Sequence, residues 1–399
     1  MKTFKKANRI ESLPNQFFAS LSSNVQNVMK EGHDVINLGQ GNPDRPTPDH
    51  IVEALMNAAK SPSNHRYSPF RGLDSFKEAV SVFYKREYGV DIDPYKEVAI
   101  LFGGKAGLVE LPQCILNPGD TVLVPDPGYP DYLSGVSLAE ARMVTMPLIE
   151  ENEFLPEYDA ISHADREKAK LMFLNYPNNP TGAIATRSFF EETVSFAEEH
   201  DLCVVHDFAY GAIGFGGEKP LSFLEIEGAK DTGIEIYTLS KTYNMAGWRV
   251  GFAVGNESVI EAINVLQDHL YVSLFGAIQE AAVTALLGPQ DCVGQLVETY
   301  ESRRRVLMDG LKKIGWSVKA PRGSFFAWLK VPEGFTSMEF ADFLLEEARI
   351  AVAPGIGFGE YGEGYVRVGL LTGNERLQEA VERIENLKLF DKKIDRIEK

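Results

Sequence analysis

One lysine, Lys241, closes the apolar run IEIYTLS (234–240), with Thr238 and Ser240 just before it and Arg249 eight residues after. Partial burial beside a guanidinium disfavours the ammonium form, and the neutral amine that results is a nucleophile for a carbonyl carbon. Taken alone, the stretch reads more safely as a lysine whose stem covers apolar surface while its amine reaches water. Other places change that weighting. Asp207 and Tyr210 end DLCVVHDFAYG (201–211), three residues apart, where both can face one side of a turn. A carboxylate at the end of a buried strand is costly without a cationic partner, the plainer alternative being a capping aspartate and a core tyrosine. His206 beside them reads as a satisfied core histidine. Asn179 closes YPNNPTG, whose residues also make an ordinary turn. FGGKAG (102–107) ends a strand and opens a helix, a geometry that presents free N–H groups to a phosphate or simply needs glycine to turn. A nucleophilic lysine, a phosphate cradle, an arginine with hydroxyls and a buried aspartate are together what pyridoxal 5'-phosphate requires.

These residues sit at the ends of short β-branched runs: EVAILFGG (97–104), DTVLVPDPGY (120–129), KLMFLNYPNNPTG (170–182), DLCVVHDFAYG (201–211) and IEIYTLSK (234–241). Helical periodicity follows them, which is the punctuation of βαβ units. In TRSFFEETVSFAEEH (186–200), Phe190, Val194 and Ala197 recur at helical spacing, and Ser188 with Glu191 has the spacing of a capping box. Strands joined by such crossovers run parallel, so their C-terminal ends share one edge of the sheet, where ligands bind. The proline cluster NPDRPTPDH (42–50) and the break LLGPQD (286–291) are candidate boundaries. After the second, helical stretches surround two more strand candidates, GSFFAWLKV (323–331) and GYVRVGLL (364–371), as in a smaller α+β unit. The last residues, DKKIDRIEK, read as a charged helical end.

The chain of 399 residues carries a formal net charge of −17, which repels nucleic-acid backbones and anionic membranes alike. Its densest basic run, Arg303 to Arg305, reads as a solvated or subunit-facing helical stripe. The N-terminus lacks the apolar stretch of a secretory signal, and Cys114, Cys203 and Cys292 are too scattered for a disulfide framework or a zinc site. No metal site is expected, and a reducing cytoplasm fits best. GFGEYG (357–362) matches G-x-G-x-x-G but precedes a strand instead of linking strand to helix, which argues against a dinucleotide site.

The order NLGQGNPD, Tyr67 before Gly72, GGKAG, DPGYPDY, NYPNNPTG, HDFAY, SKTYNMAGWRVG and YVRVGL resembles the class I aminotransferases of fold type I, across residues 17 to 390. Over its length the chain is most similar to the bacillus-type members that regenerate methionine from 4-methylthio-2-oxobutanoate. The resemblance implies an α/β fold: a three-layer α/β/α large domain with a mostly parallel sheet (50–286), and a smaller α+β domain from both chain ends (1–49 and 287–399). It implies that Lys241 forms the Schiff base, that Asp207 pairs with the pyridine nitrogen, and that Tyr210 and Asn179 hydrogen-bond the phenolic oxygen. The phosphate would meet the backbone at Gly104, Lys105 and Ala106, the side chains of Thr238 and Arg249, and Tyr67 from the partner of a homodimer. Tyr129 would stack on the ring. Arg367 would grip the α-carboxylate of an amino acid or 2-oxo acid, assisted by Asn179 and the backbone near Gly39. Phe17 and Phe18 would form an apolar wall over the substrate or pack under the small domain.

Two departures narrow the substrate. Aspartate-specific members stack a tryptophan where this chain has Tyr129, and no second arginine for a distal carboxylate can be placed, so a dicarboxylic substrate is disfavoured. FGGKAG also differs from the branch reading S-K-E-G, which leaves its phosphate contacts to the backbone. A C–S β-lyase, sharing every cofactor contact, and an aminotransferase for aromatic amino acids are the alternative activities.

Overall fold

Alternating apolar residues make a sheet buried on both faces. In the strand Val98–Leu101, Val98 and Ile100 join one core cluster while Ala99 and Leu101 join the cluster on the opposite face. The computed structural model describes residues 1–14 and 17–390, the side chains of 17–20 excepted. Its strands are β1 (Ile36–Asn37), β2 (Val98–Leu101), β3 (Thr121–Asp126), β4 (Arg142–Pro147), β5 (Ala169–Leu174), β6 (Cys203–Asp207), β7 (Gly233–Thr238), β8 (Gly251–Gly255), β9 (Phe326–Lys330), β10 (Ile350–Ala351), β11 (Ala353–Pro354) and β12 (Tyr365–Gly369). Seven form the central sheet in the order β2-β8-β7-β6-β5-β3-β4, parallel throughout except that β8 runs against both its neighbours. Helices cover both faces, so the class is α/β with a mostly parallel sheet.

The expected crossover helix spans Arg187–Glu199 and buries Phe190, Val194 and Ala197. Its cap is a correction: the N-cap is Thr186, whose hydroxyl accepts the Phe189 N–H at 3.2 Å, while Ser188 lies inside the first turn. The helix begins early enough for the threonine to reach the third helical amide, which leaves no such role for Ser188 and Glu191.

A second core surrounds the antiparallel sheet β11-β12-β9, packed with residues of the helices Asp291–Lys313, Ser337–Glu347 and Asn374–Glu385. β1 pairs in parallel with β10, Ile36 opposite Ile350, so residues near both ends of the chain share this core. The basic run also needs correcting. Arg303 is buried, donates to both carboxylate oxygens of Asp44 at 2.8 and 2.6 Å and to the Leu370 carbonyl at 3.0 Å, and so ties its helix to the N-terminal segment. Its charge is neutralised within the fold; Arg305 alone of the three is exposed. The DKKIDRIEK end lies outside the described residues. No helix among the described residues is long and apolar enough to cross a membrane.

Candidate active site

Five strand ends converge on one cavity of about 620 Å³. β2 leads into Gly104 and Lys105, β3 into Tyr129, β5 into Asn175 and Asn179, β6 ends in Asp207 and β7 in Thr238, followed by Ser240 and Lys241; all line the cavity. The parallel run of these strands brings their C-terminal ends to a common edge, where loops present side chains without interrupting the ladder.

Lys241 lies at the centre. Its Nζ donates to the Gly41 carbonyl at 3.0 Å and sits 5.4 Å from the Phe325 ring centre. Burial, then the charges of Arg367 and Arg249, bring its pKa down to about 8, with Asp207 acting the other way. The amine is therefore partly neutral near physiological pH, the state a nucleophile or base requires. Asp207 is buried and accepts the Tyr132 hydroxyl on Oδ2 at 2.8 Å. Burial raises its carboxyl to about 6, against the Tyr132 bond and the His206 and Lys241 charges. His206 points to the opposite face of the sheet, fully buried, with Nδ1 2.7 Å from Glu235 and Nε2 3.0 Å from the Tyr176 carbonyl. It is a satisfied core histidine.

At one end, the helix Gly104–Ile115 presents its first turn without a side-chain cap. Gly103 permits this approach: its φ is +86°, and a Cβ there would lie 2.6 Å from Arg249 Nη2. Arg249 Nη1 donates to the Ala246 carbonyl at 2.8 Å, and Thr238 Oγ1 lies 2.8 Å from Ser240 Oγ while accepting the Ser240 N–H. Uncapped amides, a guanidinium and hydroxyls make this an anion-binding end. Lys105 reaches aside to Asp131 at 2.9 Å. Ala106 is not among the cavity-lining residues, and its N–H turns back to the Gly103 carbonyl at 3.2 Å.

At the other end, Arg367 on β12 is buried and donates to Asn179 Oδ1 and to the Gly39 carbonyl, both at 2.9 Å. Phe326 stacks 4.0 Å from its guanidinium carbon. Burial pulls its pKa down to about 10, so it stays charged at neutral pH. Because Asn179 gives its oxygen to Arg367, its amide NH2 is the group it can offer to an acceptor in the cavity. Tyr210 lines the wall edge-on to Phe325, centroids 5.2 Å apart.

Of the residues singled out from the sequence, Gly39, Gly104, Lys105, Tyr129, Asn179, Asp207, Tyr210, Thr238, Lys241, Arg249 and Arg367 meet at this cavity. Tyr67 does not: it is 88% exposed and away from its own chain's cavity. Phe17 and Phe18 start the helix Phe17–Lys30, but their side chains lie outside the described residues. Sequence reasoning missed Tyr132, Asn175, Gly41 and Phe326. Tyr132 and Asn175 stand inside motifs already quoted, DPGYPDY and NYPNNPTG; their positions gave no sign that Asn175 would donate to the Asp207 carbonyl at 2.7 Å and accept the Asn179 N–H at 2.8 Å.

The model for the family "Aminotransferase class I and II" matches residues 33–384. The chain belongs to this family of pyridoxal phosphate-dependent enzymes, which transfer an amino group between an amino acid and a 2-oxo acid. It is 67% identical over 390 residues, covering 98% of each chain, to the L-glutamine--4-(methylsulfanyl)-2-oxobutanoate aminotransferase of Bacillus subtilis strain 168. It is 52% identical, over 95% of this chain and 96% of the relative, to transaminase BacF of the same strain. The substrate-bound BacF structure superposes with a TM-score of 0.94 at 50% identity, covering 98% of this chain and all of that one.

Proposed function

We propose that the protein transfers the amino group of an amino acid such as glutamine to 4-(methylsulfanyl)-2-oxobutanoate, forming methionine, as a cytoplasmic homodimer. The observation that carries this reading is the 67% identity over 98% of both chains to a B. subtilis enzyme of that name. The cavity agrees with a monocarboxylic acceptor. Among its described lining residues the only guanidinium groups are Arg249, at the anion-binding end, and Arg367, while Leu21, Val25 and Phe326 add apolar surface.

The residues fit the cofactor. Gly104 and Lys105 amides, Arg249 and the Thr238–Ser240 hydroxyls would hold its phosphate, with Tyr67 of a partner subunit completing that end. Tyr129 would cover the ring, Asp207 would hold a proton on the pyridine nitrogen, and Tyr210 with the Asn179 amide would donate to the phenolic oxygen. When bound, pyridoxal phosphate supplies an aldehyde for amines and a ring that accepts the electron pair left by the departing α-proton. Arg367 holds the substrate carboxylate in a bidentate fork, and Lys241, once freed as a neutral amine, carries the α-proton. We place the large domain at 50–286 and the small domain in the two flanking segments, boundaries that fall within a residue or two of the helices Asp49–Ala58 and Gly276–Leu287.

Incubating the holoenzyme with 4-(methylsulfanyl)-2-oxobutanoate and a panel of donors should yield methionine, with one keto acid formed per methionine. Aromatic 2-oxo acids should be slower acceptors. No methionine from any donor, or pyruvate and ammonia released from cystathionine in its place, overturns the assignment in favour of a C–S lyase.

A further inference from the structure

The glycines of GFGEYG have a use within the fold. Asp126, at the end of β3, accepts the N–H of Glu360 on Oδ2 and of Tyr361 on Oδ1, both at 3.0 Å. Gly128 adds a backbone bond to the Phe358 carbonyl at 2.9 Å. Between these contacts Gly359 has φ +133°, and a Cβ there would lie 2.0 Å from Asp126 Oδ1. Only glycine allows the loop 355–362 this close to the carboxylate.

The same loop carries Phe358, buried, its ring centre 4.7 Å from the Arg367 guanidinium carbon and its ring perpendicular to Trp328, ring centres 5.8 Å apart. Among the described residues, Arg367 thus lies against Phe326 from β9 and Phe358 from the loop. The turn that starts at Asp126 continues to Tyr129 in the cavity wall and Tyr132 on Asp207. One turn of the large sheet therefore touches both Asp207 and the surroundings of Arg367.

We propose that Asp126 is a positioning residue for substrate binding: its carboxylate pins loop 355–362 so that Phe358 holds Arg367 in the orientation that receives a substrate carboxylate. This rests on the reading of Arg367 as the carboxylate clamp. The physical basis is the pair of bonds from two N–H groups to one ionised, half-buried carboxylate, which are stronger than neutral bonds. Burial raises the Asp126 carboxyl to about 6 and the two N–H groups act against that, so it is ionised at neutral pH. An asparagine there offers a single acceptor and turns an NH2 donor towards an N–H, which releases one strand of the contact.

The test compares the holoenzyme with Asp126→Asn, Phe358→Leu and, as reference, Arg367→Lys. Asp126→Asn and Phe358→Leu should each raise KM for both the amino donor and the 2-oxo acceptor, roughly tenfold, because both substrates carry the carboxylate that Arg367 receives. Turnover at saturation and the absorbance of bound cofactor should stay near the parent's. If Arg367→Lys raises KM and neither other variant does, the role of Asp126 is wrong and the reading of Arg367 stands. If Arg367→Lys leaves KM unchanged, both fall. A loss of kcat and of cofactor with KM unchanged makes Asp126 a merely structural residue and overturns the inference. Should Asp126→Asn not fold, Phe358→Leu decides by the same split between KM and kcat.

Discussion

Burial sets the chemistry of Lys241 more than its charged neighbours do, with Arg367 next and Arg249 after it. The sign is that of a base held below its ordinary value: the ammonium is disfavoured in the fold, so the reactive amine appears as pH rises through about 8. In cofactor-free protein, acylation of Lys241 by acetic anhydride should follow that midpoint. Arg367→Gln removes a repelling charge and should move the midpoint upward. A midpoint that stays or falls contradicts the electrostatic link between Arg367 and Lys241. The sequence made the lysine and Arg249 visible as a pair, since they share one stretch. Arg367, which ranks above Arg249 in its effect, is 126 positions away and entered only through the family resemblance.

The strand–turn–helix unit at FGGKAG shows how an element makes a site from backbone alone. Gly103 turns the chain with a left-handed φ and lies against Arg249, while the helix after it offers its first amides uncapped. Gly103→Ala would strain the turn and drive a methyl into the guanidinium, displacing both halves of the anion-binding end. Equilibrium dialysis should then show pyridoxal phosphate bound at least roughly tenfold more weakly, with the far-ultraviolet dichroism of the sheet and helices retained. Unchanged affinity contradicts the assignment of this end to phosphate. The strands that supply the site were legible because they are buried on both faces and so read as mostly apolar runs ending in turn residues. β4 was not: it is an edge strand with Arg142 and Met143 exposed, and its pattern resembles a surface segment. The cap at Thr186 was misread because Ser188 and Glu191 have capping-box spacing and nothing local fixes where the first helical turn begins.

At the scale of the whole molecule, the exposed Tyr67 does not line its own chain's cavity, and the proposal places it in the partner's. That makes a mixing experiment decisive. Dimers reassembled from equal amounts of Lys241→Ala and Tyr67→Ala subunits contain one intact site in each mixed pair, so activity should recover to about a quarter of the parent's. Activity no higher than the two variants give separately would place Tyr67 outside the neighbouring site.

The sequence by itself determined the α/β class, the strand ends that carry chemistry and the cofactor, because these depend on residue types and short spacings. Its family resemblance gave roles to Arg367, Asn179 and Gly39, and in the fold Arg367 donates to Asn179 and to the Gly39 carbonyl, each at 2.9 Å. Only the tertiary structure decided that Tyr132 supports Asp207, that Gly41 receives Lys241, that Arg303 is an internal strut to Asp44, and that GFGEYG closes on Asp126. The physical reason is common to all four. Each contact joins segments far apart in the chain, and which polar group meets which is settled by packing that no local pattern encodes.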